Sequence, residues 1–275
     1  DVVHFQWLAV PQVDRLMLPS GRPLVLTAHD VLAREGGAAH RAAQRRSFAR
    51  FDALIAHSEH GRGRLVALGV DAARVHVIPH GAFAHLAALG DAPLPPELPD
   101  PGDRPVVLYF GLLRPYKGLD VLLDAWAAIE DAELWIVGRP RFDVAPLRAR
   151  AGANVRWVPR YVSDLELAAC VRRADVVVAP YREIEQSGVV ATALAFVAPM
   201  ILSDVGGFGE VGAAGAARLV PPGDAEALRD ALGELLGDGV ARARLAGAAR
   251  ALADGDWSWE RVAQRTRALY DALVS

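Results

Sequence analysis

The sequence predicts an α/β protein built from two doubly wound parallel-sheet domains, on three observations. Short apolar runs rich in Val, Ile and Leu alternate with helical patterns along the 275 residues, which is how βαβ units read. Those runs are apolar at consecutive positions, as strands covered on both faces are. A stretch holding Pro93, Pro95, Pro96, Pro99, Pro101 and Pro105 breaks the alternation. From it we read a first domain over residues 1–85, a linker over 86–104, a second domain over 105–255 and a closing helix over 256–275.

Composition narrows the class. Hydrophobic residues make up 52% and charged residues 23%, so the chain has the apolar content of a globular protein. A net charge of −3 argues against a general nucleic-acid binder. The single cysteine, Cys170, excludes an intrachain disulfide framework and a Cys-rich zinc site, and fits a reducing cytoplasm. The longest weakly polar run, Gly188 to Leu202, contains Thr192 and Pro199 and falls short of a membrane span.

In chain order, Asp1–Val10 reads as a strand around Val2-Val3-His4-Phe5. Leu16–Leu18 is a short helical patch. Pro23–Ala28 is the second strand and ends in His29-Asp30. His40–Phe51 carries Arg41, Arg45, Arg46 and Arg50 on a helical pattern with Phe48 and Phe51. It reads as a solvated face over a packed stripe, or as a basic face lying on an anionic membrane surface. Ala53–Ala56 is a third strand, ending in His57-Ser58. A helix over Gly61–Leu68 is closed by Gly69. Val75–Ile78 is a fourth strand, ending in Pro79-His80-Gly81.

In the second domain, strands fall at Val106–Phe110, Glu133–Val137, Val155–Val158, Asp175–Ala179, Met200–Ser203 and Arg218–Val220. Helices lie between them at Leu119–Ile129, Val144–Ala151, Asp164–Arg173, Ser187–Val197 and Ala225–Leu236. Ser163 and Glu166 form a capping box for the third of these. Helices near Val240–Ala253 and Ser258–Leu273 end the chain.

Doubly wound folds bind ligands at the carboxyl ends of their strands. Gly111–Lys117, Gly138-Arg139, Arg160-Tyr161, Tyr181–Gly188 and Asp204–Glu210 all follow strands and should converge. The first is the most telling. Arg114 and Lys117 sit between a strand and a helix N-terminus, flanked by Gly111 and Gly118. Two cations, unpaired N–H groups and close backbone approach suit a phosphate or diphosphate. The alternative is an ordinary solvated loop. At Ala174–Glu210 a buried strand ends in Pro180, Glu183 and Glu185 follow, and Ser187-Gly188 opens a helix. That is either a second anion-facing helix start or acidic residues complementing a dipole. His57, His60 and His80 show no metal-ligand spacing.

The spacing Gly111-x-x-Arg114-x-x-Lys117-Gly118 resembles the donor-phosphate motif of glycosyltransferase family 4, of the GT-B architecture. Ala56-His57-Ser58, Val77 to Gly81, Leu134–Gly138 and Trp257-Ser258-Trp259 resemble further landmarks of that family, and Ser187-Gly188-Val189 looks like a variant it uses. The resemblance implies two Rossmann-like domains and a C-terminal helix crossing back onto the first. It implies a retaining enzyme that moves a sugar from a nucleotide-diphosphate sugar to a hydroxyl acceptor on a glycan, a lipid or a small molecule, with neither metal nor cofactor. Arg114 and Lys117 would contact the diphosphate. Glu183 and Glu185 supply the acidic loop that contacts the sugar. His29 stands where the family often has a His facing the sugar or the acceptor. The catalytic set implied is Arg114, Lys117, Glu183 and His29. The donor-binding set is Gly111, Gly138, Tyr161, Glu185, Ser187, Gly188 and Val189. A cytoplasmic location follows, peripheral at the inner membrane face if the segment 40–51 binds lipid.

Two departures stand out. The family's paired glutamates fall on Ile184, between the two acidic residues, and on Thr192. The first domain is shorter than a doubly wound domain usually is, so the chain is expected to lack that domain's first strands. The rival readings are a non-catalytic nucleotide-sugar-binding fragment and, less closely matched, a GT-B sugar-nucleotide epimerase.

Overall fold

The computed structural model describes residues 1–8, 11–31 and 37–275. It divides into a first unit, Asp1–Gly81 with Asp256–Ser275, and a second, Ala82–Gly255.

The described part of the first unit runs β1 (Val3–Phe5), α1 (Pro11–Met17), β2 (Leu24–Thr27), α2 (Ala38–Ser47), β3 (Ala53–Ala56), α3 (Glu59–Ala67) and β4 (Val75–Val77). Residues 9 and 10 of the expected opening strand lie outside the described residues. The sheet order is β1-β2-β3-β4, all parallel. Side chains alternate between its faces. Leu24, Leu26, Leu54 and Ala56 meet Phe48, Phe51 and Leu65 on one side. Val25, Ala53 and Ile55 lie on the other with Ile78 and Leu269. Leu269 comes from the C-terminal helix, Trp259–Val274, whose Val262, Tyr270 and Leu273 pack there too. These positions fall on one helical stripe. That helix therefore covers the face that α3 and the turn after α2 leave, which is why the strands are apolar throughout.

The second unit contains α4 (Ala84–Ala87), β5 (Val106–Phe110), α5 (Leu119–Trp126), β6 (Glu133–Val137), α6 (Ala145–Ala149), β7 (Val155–Val158), α7 (Asp164–Arg173), β8 (Val176–Ala179), α8 (Gly188–Ala195), β9 (Met200–Ser203), α9 (Phe208–Ala213), β10 (Ala217–Val220), α10 (Ala225–Gly237) and α11 (Gly239–Asp254). The C-terminal helix is α12. The parallel sheet runs β10-β9-β8-β5-β6-β7, and β5, β6, β8 and β9 are buried along their length. The two sheets carry four and six strands, the first counted among the described residues.

Arginines fasten the proline-rich stretch to the second unit. Arg172 donates to the carbonyls of Ala87 at 3.2 Å and Gly90 at 3.3 Å. Arg173 donates to those of Gly102 and Arg104 at 2.9 and 2.8 Å. Arg160 pairs with both oxygens of Glu97. A chain rich in proline makes few ladder bonds of its own, and guanidinium groups serve its carbonyls instead. Helix α9 is absent from the sequence expectation, because Gly207, Gly209 and Gly212 depress helix propensity there.

Candidate functional site

Strands β5 and β8 are neighbours although α5, β6, α6, β7 and α7 lie between them in the chain, while β6 and β7 extend the sheet on the other side of β5, so the strand order reverses between β5 and β8. Such a switch point opens a crevice at the strands' carboxyl ends. The loops after β5 and β8 meet there. Gly118 has φ +68°, and a Cβ on it would lie 2.0 Å from the Pro180 carbonyl oxygen. Gly138, after β6, has φ +143° and is pressed as closely on the Gly111 carbonyl. Only glycine fits either place.

A short 3₁₀ turn, Pro115–Lys117, fills the loop after β5. Arg114 precedes it, half-buried. Lys117 is only 8% exposed. Its Nζ lies 5.0 Å from the centre of the Tyr181 ring and 3.3 Å from where a Cβ on Gly111 would stand. Tyr181 in turn packs against Tyr116 and Phe208. A cation this far from water interacts strongly with negative charge brought beside it.

Arg182 locks the two loops together. Its backbone N–H donates to the Tyr116 carbonyl at 2.8 Å. Its guanidinium grips both oxygens of Asp120, at 2.9 and 2.6 Å, and reaches the Pro115 carbonyl. The Arg182 hydrogen bond holds the Asp120 carboxyl below its usual range. Sequence reasoning passed over Arg182. Its signal was a basic residue after one strand and an acid in the first turn of the helix after another.

The loop after β8 leads into α8. Ser187 caps that helix, its Oγ accepting from the Val189 N–H at 3.2 Å. Glu183 is exposed and Glu185 buried. Thr192 is buried, and its hydroxyl donates to the Gly188 carbonyl at 2.8 Å. The side-chain oxygens of Gln186, in this loop, and Ser203, at the end of β9, are buried with no hydrogen-bond partner among the described residues. Buried polar atoms are usually paired, so these two suit a polar ligand. Tyr161 is 75% exposed beyond β7. Its neighbour Arg160 is engaged by Glu97 and Glu166, and draws the Glu166 carboxyl down to about 2. Arg160 thus serves the scaffold.

The first unit gathers three histidines. His29, His57 and His80 follow β2, β3 and β4, with ring centres 4.8 Å apart for the first pair and 5.3 Å for the second. His57 Nε2 lies 3.0 Å from His29 Nδ1, and His57 Nδ1 lies 2.9 Å from the Ile78 carbonyl oxygen. Burial lowers the pKa of His57 to about 3, against the pull of its Ile78 bond and with help from His29 and His80. His29 is lowered too, by burial and then by His80, with Asp30 opposing. Both rings are neutral at pH 7. The sequence reading singled out His29 alone. The signal for the cluster was a His just past each of three strands, which a parallel sheet brings to one edge. Among the described residues, no group of three or more His, Cys, Asp or Glu is placed to hold a metal.

The basic segment is α2 with the 3₁₀ turn Phe48–Arg50. Phe48 and Phe51 are buried in the core, so the aromatics are withdrawn from any surface. Arg41, Arg45, Arg46 and Arg74 line a surface cleft of about 510 Å³. No helix among the described residues is long and apolar enough to cross a membrane.

Comparison with known proteins follows the same division. Residues 104–238 match the family model for glycosyl transferases group 1, and residues 1–82 match that for glycosyltransferase family 4. A phosphatidyl-myo-inositol mannosyltransferase of Mycobacterium leprae is 36% identical over 230 residues, covering 78% of this chain and 57% of that protein. A GDP-mannose-dependent monoacylated phosphatidylinositol monomannoside mannosyltransferase of Corynebacterium glutamicum is 31% identical over 174 residues, covering 58% of this chain and 45% of its own length. The chain thus spans about half the length of these relatives. Among solved structures, Anabaena HepE in complex with UDP superposes with a TM-score of 0.83 at 20% identity, covering 99% of this chain and 79% of that one. At that identity the likeness concerns the fold.

Proposed function

The chain belongs to glycosyltransferase family 4, with the GT-B fold, and on that premise we propose that it transfers a sugar from a nucleotide-diphosphate sugar to a hydroxyl acceptor with retention of configuration. The observation that carries the reading is the buried ammonium of Lys117 beside Arg114, at the β5/β8 switch point. As the bond from sugar to diphosphate breaks, negative charge grows on the departing phosphate. Fixed cations and the N-terminus of α8 stabilise it without reorganising. Gly111 and Gly138 let the backbone approach the donor, and Ser187, Gly188 and Val189 present the helix start. Glu183, exposed on the loop after β8, is assigned to the sugar. Glu185 supports that loop from within, Tyr161 offers an exposed ring to the donor, and His29 is assigned to the sugar or the acceptor.

The relatives' names suggest where to begin. We take GDP-mannose as the first donor to test and an inositol-headed lipid as the first acceptor. The arginine-lined cleft beside α2 supports contact with an anionic lipid surface, through charge alone. Cosedimentation with vesicles containing anionic phospholipid, lost on Arg45→Glu with Arg46→Glu, tests this.

The deciding experiment is a thermal-shift screen against UDP, GDP, ADP and their sugars, followed by sugar transfer with the donor that binds. A ligand at a hundred times its dissociation constant adds about 2.7 kcal/mol. A shift with one base supports the donor site; no shift with any overturns it. A second reading, binding without transfer, is favoured by Thr192, whose hydroxyl is engaged by its own helix where the family carries a carboxylate. Binding with neither transfer nor donor hydrolysis would select it.

A further inference from the structure

The hydrogen bonds around His57 have a direction. The Ile78 carbonyl oxygen can only accept, so His57 Nδ1, 2.9 Å away, carries the proton. A neutral imidazole has one such proton, and His57 Nε2 is then an acceptor. His29 Nδ1, 3.0 Å from it, must donate. His29 therefore holds its own proton on Nδ1, and its Nε2 presents a lone pair. The tautomer of an imidazole is set by the bond its other nitrogen makes.

We propose that His57 is a positioning residue, which locks His29 in the Nδ1–H tautomer so that His29 Nε2 accepts a hydrogen bond from a hydroxyl of the substrate. The chemistry at His29 is then that of a sugar or polyol hydroxyl. A phosphate oxygen brings no proton, and a lone pair facing it repels. Protonating His57 on Nε2 would set two N–H groups against each other across the 3.0 Å contact, in keeping with the direction in which that ring is pushed; a proton added to His29 would go on Nε2 and take up the lone pair offered to the hydroxyl. The inference rests on the assignment of His29 to the sugar or the acceptor, but the tautomer is measurable without a substrate.

The test is a long-range proton–nitrogen correlation spectrum of the full chain labelled with ¹⁵N-histidine at neutral pH. His29 is assigned by the signals lost in His29→Gln. The unsubstituted chain should show His29 and His57 both as Nδ1–H. In His57→Phe, His29 should shift to predominantly Nε2–H. In His57→Gln, whose side-chain carbonyl accepts in place of the ring nitrogen, Nδ1–H should persist. An Nε2–H tautomer at His29 in the unsubstituted chain overturns the proposal, whatever the variants do. So does an Nδ1–H tautomer that survives His57→Phe. Failure of the transferase reading would appear as absent sugar transfer and would leave these spectra as expected.

Discussion

A Cβ on Gly118 would lie 2.0 Å from the carbonyl oxygen of Pro180, so the loops after β5 and β8 touch through backbone alone. Gly118 also has φ +68°, where an L-residue pays about 1–2 kcal/mol. Gly118→Ala should part the two loops, lower stability by more than about 2 kcal/mol and cost at least roughly tenfold in nucleotide affinity. Gly90→Ala is the control, since nothing lies within 4 Å of a Cβ there. Urea unfolding and calorimetry on both variants decide; equal behaviour would remove the loop contact from the argument.

Arg114→Ala and Lys117→Ala should each weaken nucleotide-diphosphate binding. A charge-assisted hydrogen bond is worth about 1.5–3 kcal/mol, or roughly ten- to a hundredfold in affinity. The two should differ in stability. Lys117 is buried, and taking one charge out of a buried site strands the groups arranged around it, which is strongly destabilising. Lys117→Met should therefore lower the melting temperature of the unliganded chain more than Arg114→Met does, besides losing affinity. Unchanged binding in both alanine variants would refute the phosphate assignment.

What could be read in advance was local. Val106–Phe110 needed only its apolar run, and the Ser163–Glu166 cap only its spacing; the backbone bears both out. Strand neighbours are set by long-range pairing. That β5 lies beside β8, and that Arg182 therefore reaches Asp120, depends on which strand joins which. The histidine cluster was hidden for the same reason: His29 and His57 meet only because β2 pairs with β3. Phe48 and Phe51 lay on a pattern that suits a core stripe or a membrane face equally, and packing against Leu54 and Leu65 chose the core.

Helix α8 ends in a turn that its sequence resists. The Ala198 N–H bonds the Ala193 carbonyl at 2.9 Å and the Val197 N–H bonds that of Leu194 at 3.0 Å. This is the Schellman closure, whose left-handed position favours glycine. Val197 occupies it with φ 55°, an unfavourable place for a β-branched residue. Val197→Gly should gain about 1 kcal/mol, less a little for the half-buried side chain lost. That is a rise of roughly 2–3 °C in melting temperature for a chain of this size. Val197→Ala should fall between the two. A lower melting temperature for Val197→Gly would mean that the side chain's packing outweighs the backbone strain.

The histidines give stability a pH dependence whose sign is fixed. His57 has a pKa of about 3 when folded against 6.5 unfolded. Between those values the unfolded chain binds a proton that the folded chain does not, so stability rises with pH there and is complete above about 6.5. One proton corresponds to about 1.4 kcal/mol per pH unit. His57 alone should cost about 2–3 kcal/mol between pH 6.5 and pH 4.5, with His4 and His29, also lowered by burial, adding to it. The carboxylates held low by arginines, Glu97, Asp120, Glu133 and Glu166, lose their contribution only as pH falls further, from about their unfolded values downward. The window above about pH 4.5 thus belongs mainly to the histidines. Urea unfolding across it should show a slope that His57→Phe reduces by nearly one proton. An identical slope in that variant would mean that His57 is protonated in the folded chain, and the directed hydrogen bonds from Ile78 to His29 would go with it.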